Sequence, residues 1–337
     1  MVTLPRLIKA LLNMNNQIVI LDGYVANSGD LSWDGLSRYG ELVVYERTSP
    51  EQIVERCSRA WAVLTNKVAL TAEVISGICA VNPDLRYIGE IATGYNNIDV
   101  AEARRRGITV CNVPAYSTMS VAQTVFALLL AITNRVETYS ASVAAGEWSS
   151  CADFSYRLTA LSELDGQVMG VYGLGNIGSR VAMIAHALGM KVISPTSKTE
   201  AELPPYVTKV SLDEMFAGAD VVSLNAPLTA ANTGIVNART LALMKPTAIL
   251  INTARGGLVN EADLAAALRD NRIAAAGLDV LATEPPAADC PLIGLPNCFV
   301  TPHVAWQSTQ ARRRLIDVCI ANVAAFVAGR PQNVVGC

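Results

Sequence analysis

Imidazole is scarce in this chain: 337 residues hold two histidines, His186 and His303. Histidine acid–base chemistry near neutral pH therefore has only two possible seats. Charged residues are also sparse, at 16%, and the net charge is −3 with a pI near 5.5. No basic excess is available to neutralise a phosphate backbone, so a nucleic-acid partner is disfavoured. None of the eight cysteines stands in a C-x-x-C pair. In a chain this long they read as reduced thiols, mostly small core residues of a cytoplasmic protein, with no disulfide and no metal site. No apolar run is long enough to span a bilayer, so no membrane partner is expected; the longest, 125–132, fits one stretch of an amphipathic helix. Residues 1–16 lack the long apolar stretch and small-residue cleavage site of a signal peptide. They read as a poorly ordered N-terminal extension.

What the chain has is hydrophobic residues, 51% of the total, enough for two domains. It also has one stretch around which the rest is organised, Gly173-Leu-Gly175-Asn176-Ile177-Gly178. An apolar lead-in, 168–172, precedes it and a helical pattern, 179–188, follows. Strand, glycine turn and helix in that order are the context of a dinucleotide site. Gly173 permits the tight turn, Gly175 the approach of backbone to a pyrophosphate, and Gly178 close helix packing. The pyrophosphate would rest on the free N–H groups of the helix N-terminus.

Around this stretch, strands and helices alternate. Strand patterns occur at 17–21, 41–45, 60–65, 87–91 and 109–112, with helices opening at Ser49-Pro50-Glu51 and covering 71–78 and 120–134. Beyond the glycines, strands are read at 191–194, 221–224, 248–252, 275–278 and 299–301. Helices are read at 212–217, 238–244 and 261–271, and a long amphipathic helix at 309–328. The pattern predicts an α/β protein with two doubly wound parallel sheets. The segment 141–162 reads as irregular and carries Trp148, Phe154 and Tyr156, an excursion suited to packing on another subunit.

Several strand ends carry polar residues, where open α/β sheets place ligand contacts. On spacing alone, the turn 92–99 reads as an ordinary strand-to-helix loop in which Asn97 or Asp99 caps the next helix. His186 lies within the helix after the glycines and reads as structural, whereas His303 ends a strand. Asn252-Thr253-Ala254-Arg255-Gly256-Gly257 also follows a strand, and Arg255 offers a fork of donors suited to a carboxylate. Asp279 opens a third such loop, in which Pro285 and Pro286 stiffen the backbone beside Glu284. An Arg, a Glu and a His at three strand ends suggest an acid–base pair with an anion clamp.

In their order and wording these motifs resemble the D-isomer-specific 2-hydroxyacid dehydrogenases, from about Gln17 onward. Pro302-His-Val-Ala-Trp306 and Asp22-Gly-Tyr24 with Asn27 and Gly29-Asp30 are most similar to the glycerate dehydrogenase, or hydroxypyruvate and glyoxylate reductase, branch. The resemblance implies a Rossmann-type cofactor domain at 115–304 and a discontinuous flavodoxin-like substrate domain at 16–114 plus 305–337, after an extension at 1–15. It also implies an active site in the cleft between them and a homodimer using the 120–162 region. The implied reaction is NAD(P)H-dependent reduction of a small 2-oxo acid to a D-2-hydroxy acid. His303 would donate the proton, Glu284 would fix the imidazole tautomer and favour the imidazolium, and Arg255 would bind the carboxylate and polarise the carbonyl. Backbone N–H groups at Thr93, Gly94 and Tyr95 would bind the carboxylate, which displaces the plain-loop reading of that turn. Trp306 and Ser155-Tyr156-Arg157 are candidates to line the side-chain pocket. Cofactor contacts would come from Thr124, Gly173, Gly175, Asn176, Ile177, Gly178, Asn225, Pro227, Thr253, Ala254, Arg255, Asp279 and His303, with Asp279 holding the nicotinamide carboxamide.

One departure concerns the cofactor. NAD-preferring members carry an acid at the end of the strand after the glycines, to accept from the ribose hydroxyls. Here the stretch reads Ser194-Pro195-Thr196-Ser197-Lys198, and no acid occurs before Glu200. Thr196, Ser197 and Lys198 suit a 2′-phosphate, so NADP(H) is favoured and NAD(H) is the alternative. Two other readings keep the scaffold without the reaction: a nucleotide-sensing corepressor, against which the lack of long tails argues, and a structural nucleotide-binding module. A short phosphoglycerate dehydrogenase is a third alternative.

Overall fold

The structure is a computed structural model in which residues 17–336 are described; the expectation for residues 1–16 lies outside them. The described residues divide into two compact units, one of residues 17–117 and 307–336, the other Thr118–Trp306.

The first unit is built on five parallel strands: β1 (Gln17–Ile20), β2 (Glu41–Val44), β3 (Ala60–Thr65), β4 (Tyr87–Glu90) and β5 (Thr109–Cys111). Their order is β2-β1-β3-β4-β5, the flavodoxin-like doubly wound arrangement. β3 and β4 are buried along their whole length, as strands covered on both faces must be. The first helix is preceded by a short 3₁₀ turn, Pro50–Gln52, whose capping box pairs Ser49 with Gln52. Helix Ile53–Arg56 continues it and buries Ile53. Helices Ala72–Val81 and Val100–Arg105 follow; Thr71 caps the first and Asp99 the second. The final helix, Thr309–Val327, packs on β4. There Phe326 stacks on Trp61 with ring centres 6.0 Å apart.

The second unit holds seven parallel strands: β6 (Val168–Tyr172), β7 (Lys191–Ser194), β8 (Val207–Lys209), β9 (Val221–Leu224), β10 (Ile249–Asn252), β11 (Ala275–Leu278) and β12 (Cys298–Val300). Their order is β12-β11-β10-β9-β6-β7-β8. Winding runs outward one way from β6 through β7 to β8, then reverses from β9 to β12. The switch point, where such sheets bind ligands, therefore lies between β6 and β9. One apolar cluster, with Val171, Val181, Ile251 and Leu129, covers one face of the sheet. Another, with Phe216, Leu224, Leu250 and Leu264, covers the other.

Two elements differ from the sequence reading. The segment expected to be irregular from 141 begins instead within a helix, Val136–Ala144. Arg135 adopts left-handed backbone (φ 51°) and ends helix Thr118–Asn134, so the chain bends and restarts rather than unravelling. β8 was not expected, because two of its three residues are exposed and polar. Among the described residues, no single helix is long and apolar enough to cross a membrane. The seven described cysteines are free thiols.

Candidate active site

The glycine turn leaves β6 at the switch point. Gly173 has φ +94°, a conformation L side chains rarely adopt, and a Cβ there would stand 2.6 Å from the Ala226 nitrogen. A Cβ on Gly178 would stand 1.9 Å from the Gly173 carbonyl oxygen, so helix and turn pack at glycine-only distance. Above Gly175 the space is open. Gly175 is also the N-cap of helix Asn176–Ala187, and no side chain caps that helix end. Its first amides, at Asn176, Ile177 and Gly178, enter no hydrogen bond among the described residues and suit an anionic group.

Two further features fit a bound nucleotide. Beside the switch point, the Asn225 Nδ2 group is spent on Ser223, while its Oδ1 is buried without a partner. The Thr253 hydroxyl, after β10, is likewise buried and unpaired. Buried polar atoms are seldom left so, and both stand in loops that hold sequence-predicted cofactor residues. Pro227 follows Asn225 in the same loop. Thr124 lies on helix Thr118–Asn134, where its hydroxyl donates back to the Ser120 carbonyl.

The loops after β10, β11 and β12, three neighbouring strands, carry the acid–base candidates. Asn252 shapes the first: its Nδ2 donates to the Arg255 carbonyl at 2.9 Å and its Oδ1 accepts from the Ala254 amide at 3.0 Å. Arg255 is thereby left exposed, with Nη1 on the Ala254 carbonyl and its other donors available. In the second loop, Glu284 accepts from the Leu281 amide at 3.0 Å through Oε1. Its Oε2 meets Nδ1 of His303 at 2.5 Å. The two residues come from different loops, and both remain about one-third exposed, open to a reactant.

His303 itself has φ +54°. Asp279 holds this conformation in place. The Asp279 carbonyl accepts from the His303 amide at 2.9 Å. Asp279 Oδ1 accepts from Thr301 Oγ1 and the Val304 amide, and Oδ2 from the Ala305 amide. Asp279 is 1% exposed, and any cofactor contact it makes shares an oxygen already in use. Its part in shaping the His303 loop was not visible in the sequence, because the partners lie 22–26 residues away. Ser120 braces the same loop by donating to the Ala305 carbonyl at 2.6 Å. Trp306 closes the loop and is buried.

At the end of β7, Ser194 is buried and its hydroxyl donates to the Val171 carbonyl at 2.6 Å. Thr196 is half-buried, and Ser197 and Lys198 are exposed. Lys209, at the end of β8, reaches the Lys198 carbonyl with its Nζ at 2.7 Å. A second cation thus stands beside the loop, and Glu202, capping the next turn at Thr199, is the nearby acid.

In the first unit, Thr93, Gly94 and Tyr95 form the crest of the turn after β4. Their amides enter no hydrogen bond among the described residues. Asp99, not Asn97, caps the following helix, accepting from the Glu102 amide at 2.8 Å.

The family model described as the D-isomer specific 2-hydroxyacid dehydrogenase NAD binding domain matches residues 126–305, more than half of the chain. The chain is 43% identical over 323 residues to a hydroxypyruvate reductase of Blautia hydrogenotrophica, covering 95% of this chain and 99% of that one. It is 39% identical over 325 residues to a glycerate dehydrogenase of Methylorubrum extorquens, covering 96% and 99%. Its structure is similar to that of an NADPH-dependent glyoxylate/hydroxypyruvate reductase from Sinorhizobium meliloti in complex with NADP and malonate (TM-score 0.77, 28% identity, 96% and 97% covered). With the glycine turn at the switch point and the Arg, Glu and His loops on neighbouring strands, these likenesses are decisive, and the chain belongs to the D-isomer specific 2-hydroxyacid dehydrogenase family.

Proposed function

We propose that this protein reduces small 2-oxo acids, of the hydroxypyruvate and glyoxylate kind, to D-2-hydroxy acids, with NADP(H) favoured over NAD(H). The observation that carries this reading is the His303–Glu284 pair, one strand away from the Arg255 loop and on the same sheet edge as the glycine turn. The nicotinamide, when bound, supplies hydride to the carbonyl carbon. His303 delivers a proton from Nε2 to the carbonyl oxygen, and in the reverse direction takes it back. Glu284 engages Nδ1, so the ring is held in the orientation that presents Nε2. Arg255 binds the substrate carboxylate as a fork and polarises the carbonyl. The free amides of Thr93–Tyr95 are proposed to receive a substrate carboxylate. The substrate class is supported by the hydroxypyruvate reductase and glycerate dehydrogenase relatives.

The preference for NADP(H) rests on the loop after β7. It offers Thr196, Ser197 and Lys198, and Lys209 adds a second positive charge. The bound NADP of the similar Sinorhizobium enzyme is in keeping with this. Initial rates with a panel of 2-oxo acids and both cofactors test the whole reading. A higher kcat/KM with NADPH is expected, and a large preference for NADH would sink the cofactor assignment.

The protein is further proposed to be a cytoplasmic homodimer. Phe154 is 91% exposed, and Val136, Trp148 and Leu161 are each more than half exposed on the segment that includes helix Val136–Ala144. Large apolar side chains exposed on one segment suit a partner surface. A monomeric mass in sedimentation would remove the dimer from the proposal.

A further inference from the structure

The first unit buries a carboxyl group that the proposed chemistry does not use. Glu90 is the last residue of β4, beside Thr65 of β3, and is 1% exposed. Its Oε2 accepts from Asn97 Nδ2 at 3.0 Å, while its Oε1 has no partner. Glu90 stands at the foot of one leg of the turn 92–97 and Asn97 at the foot of the other. One side-chain contact therefore ties the base of the loop together. Other bonds complete the frame. Asn66 donates to the Ile91 carbonyl at 2.5 Å, Asn112 to the Thr93 carbonyl at 2.7 Å, and the Thr93 hydroxyl to the Val113 carbonyl at 2.8 Å. The Asn97 carbonyl accepts from the Leu70 amide at 2.8 Å. With both legs pinned, the crest keeps the Thr93, Gly94 and Tyr95 amides outward. A role confined to filling the core would be served better by an apolar residue, because a buried carboxyl with an unpaired oxygen costs stability.

We propose that Glu90 is a positioning residue for the substrate: by gripping Asn97 across the base of the turn, it sets the spacing of the Thr93–Tyr95 amides that receive the oxo acid's carboxylate. This rests on the function proposed above for that turn. The surroundings of the carboxyl set its charge. Burial pushes the Glu90 carboxyl up to about 8; Asn97 and Lys67 pull it down, and Asp22 adds to the rise. The charged and titratable groups facing it are Asp22 after β1, Lys67 after β3, and Cys319 of the final helix, whose thiol is itself pushed up by burial and by Glu90. Asp22 is occupied by the amides of Asn66, Lys67 and Val68. Asn97 donates to the Glu90 carboxyl and so holds it more firmly when ionised, while burial and Asp22 favour the neutral acid.

Two variants of the full-length protein test this. Glu90→Gln keeps the acceptor for Asn97 and removes the ionisation; Glu90→Leu removes both. The Gln variant, which keeps the acceptor for Asn97, holds a KM for hydroxypyruvate within about twofold of the parent at pH 7. At pH 7 the Leu variant shows a KM raised about tenfold, with kcat and NADPH affinity little changed. In protein without substrate, amide hydrogen exchange of residues 91–98 quickens in the Leu variant and not in the Gln variant. Unchanged exchange and unchanged KM in a folded Leu variant overturn the proposal. If the Leu variant does not fold, Asn97→Ala, which removes the donor of the same contact, decides instead: unchanged exchange of residues 91–98 and unchanged KM overturn the proposal. Faster exchange in the Leu variant, with a parent that turns over no 2-oxo acid, sustains the grip on the turn and overturns the catalytic reading instead.

Discussion

His303 occupies left-handed backbone, a conformation that costs a non-glycine residue about 1–3 kcal/mol unless its surroundings impose it. Asp279 imposes it, with a carbonyl and two carboxylate oxygens on the loop. Replacing Asp279 by Ala leaves the Val304 and Ala305 amides without acceptors. It is expected to destabilise the protein by about 2 kcal/mol or more and to lower kcat/KM, as read by denaturant unfolding and steady-state rates. Arg255 makes the contrasting prediction. It is exposed and bonds only its neighbour's carbonyl, so stability does not depend on it. Arg255→Lys keeps the charge and loses the planar fork; an unchanged melting temperature and a kcat/KM for hydroxypyruvate lower by about tenfold to a hundredfold are expected.

The elements that position the site were largely legible, because buried parallel strands read as short apolar runs and their polar residues cluster at one end. The residue types of the site were legible for the same reason: Arg255, Glu284 and His303 each follow such a run. What escaped depended on contacts distant in sequence. β8 carries one buried residue, so its pattern is too weak to see, and with it went the position of Lys209 beside Lys198. Helix Val136–Ala144 buries only Ser142 and so shows no apolar stripe. The work of Asp279 on the His303 loop and of Glu90 on the Thr93–Tyr95 turn required the folded chain. The glycine turn was read correctly as a strand-to-helix junction, and its packing now yields a sharp prediction. Gly178→Ala places a methyl group against the Gly173 carbonyl at 1.9 Å. It is expected to abolish tight NADPH binding, measured by fluorescence titration; an unaltered dissociation constant would mean that the turn relaxes freely.

At the scale of the whole molecule, the buried Glu90 predicts how stability varies with pH. Its folded pKa, about 8, lies above the ordinary carboxyl value of 4.5. The folded state therefore holds a proton that the unfolded chain releases. That contribution is complete below about pH 4.5 and is lost as the pH rises towards 8, at up to about 1.4 kcal/mol per pH unit. Denaturant melts of the parent relative to Glu90→Gln should diverge with this sign across that window, and parallel curves would contradict it.

The central claim is that this chain transfers hydride to a 2-oxo acid with His303 as its proton donor. The most direct measurement is NADPH oxidation with hydroxypyruvate by the parent and by His303→Ala, alongside NADPH binding by both. Turnover in the parent, a fall of about 10²–10⁴-fold in kcat for the variant and equal cofactor affinity are predicted. Equal turnover by the two proteins would contradict the role of His303, and no turnover by the parent with any 2-oxo acid would contradict the function itself.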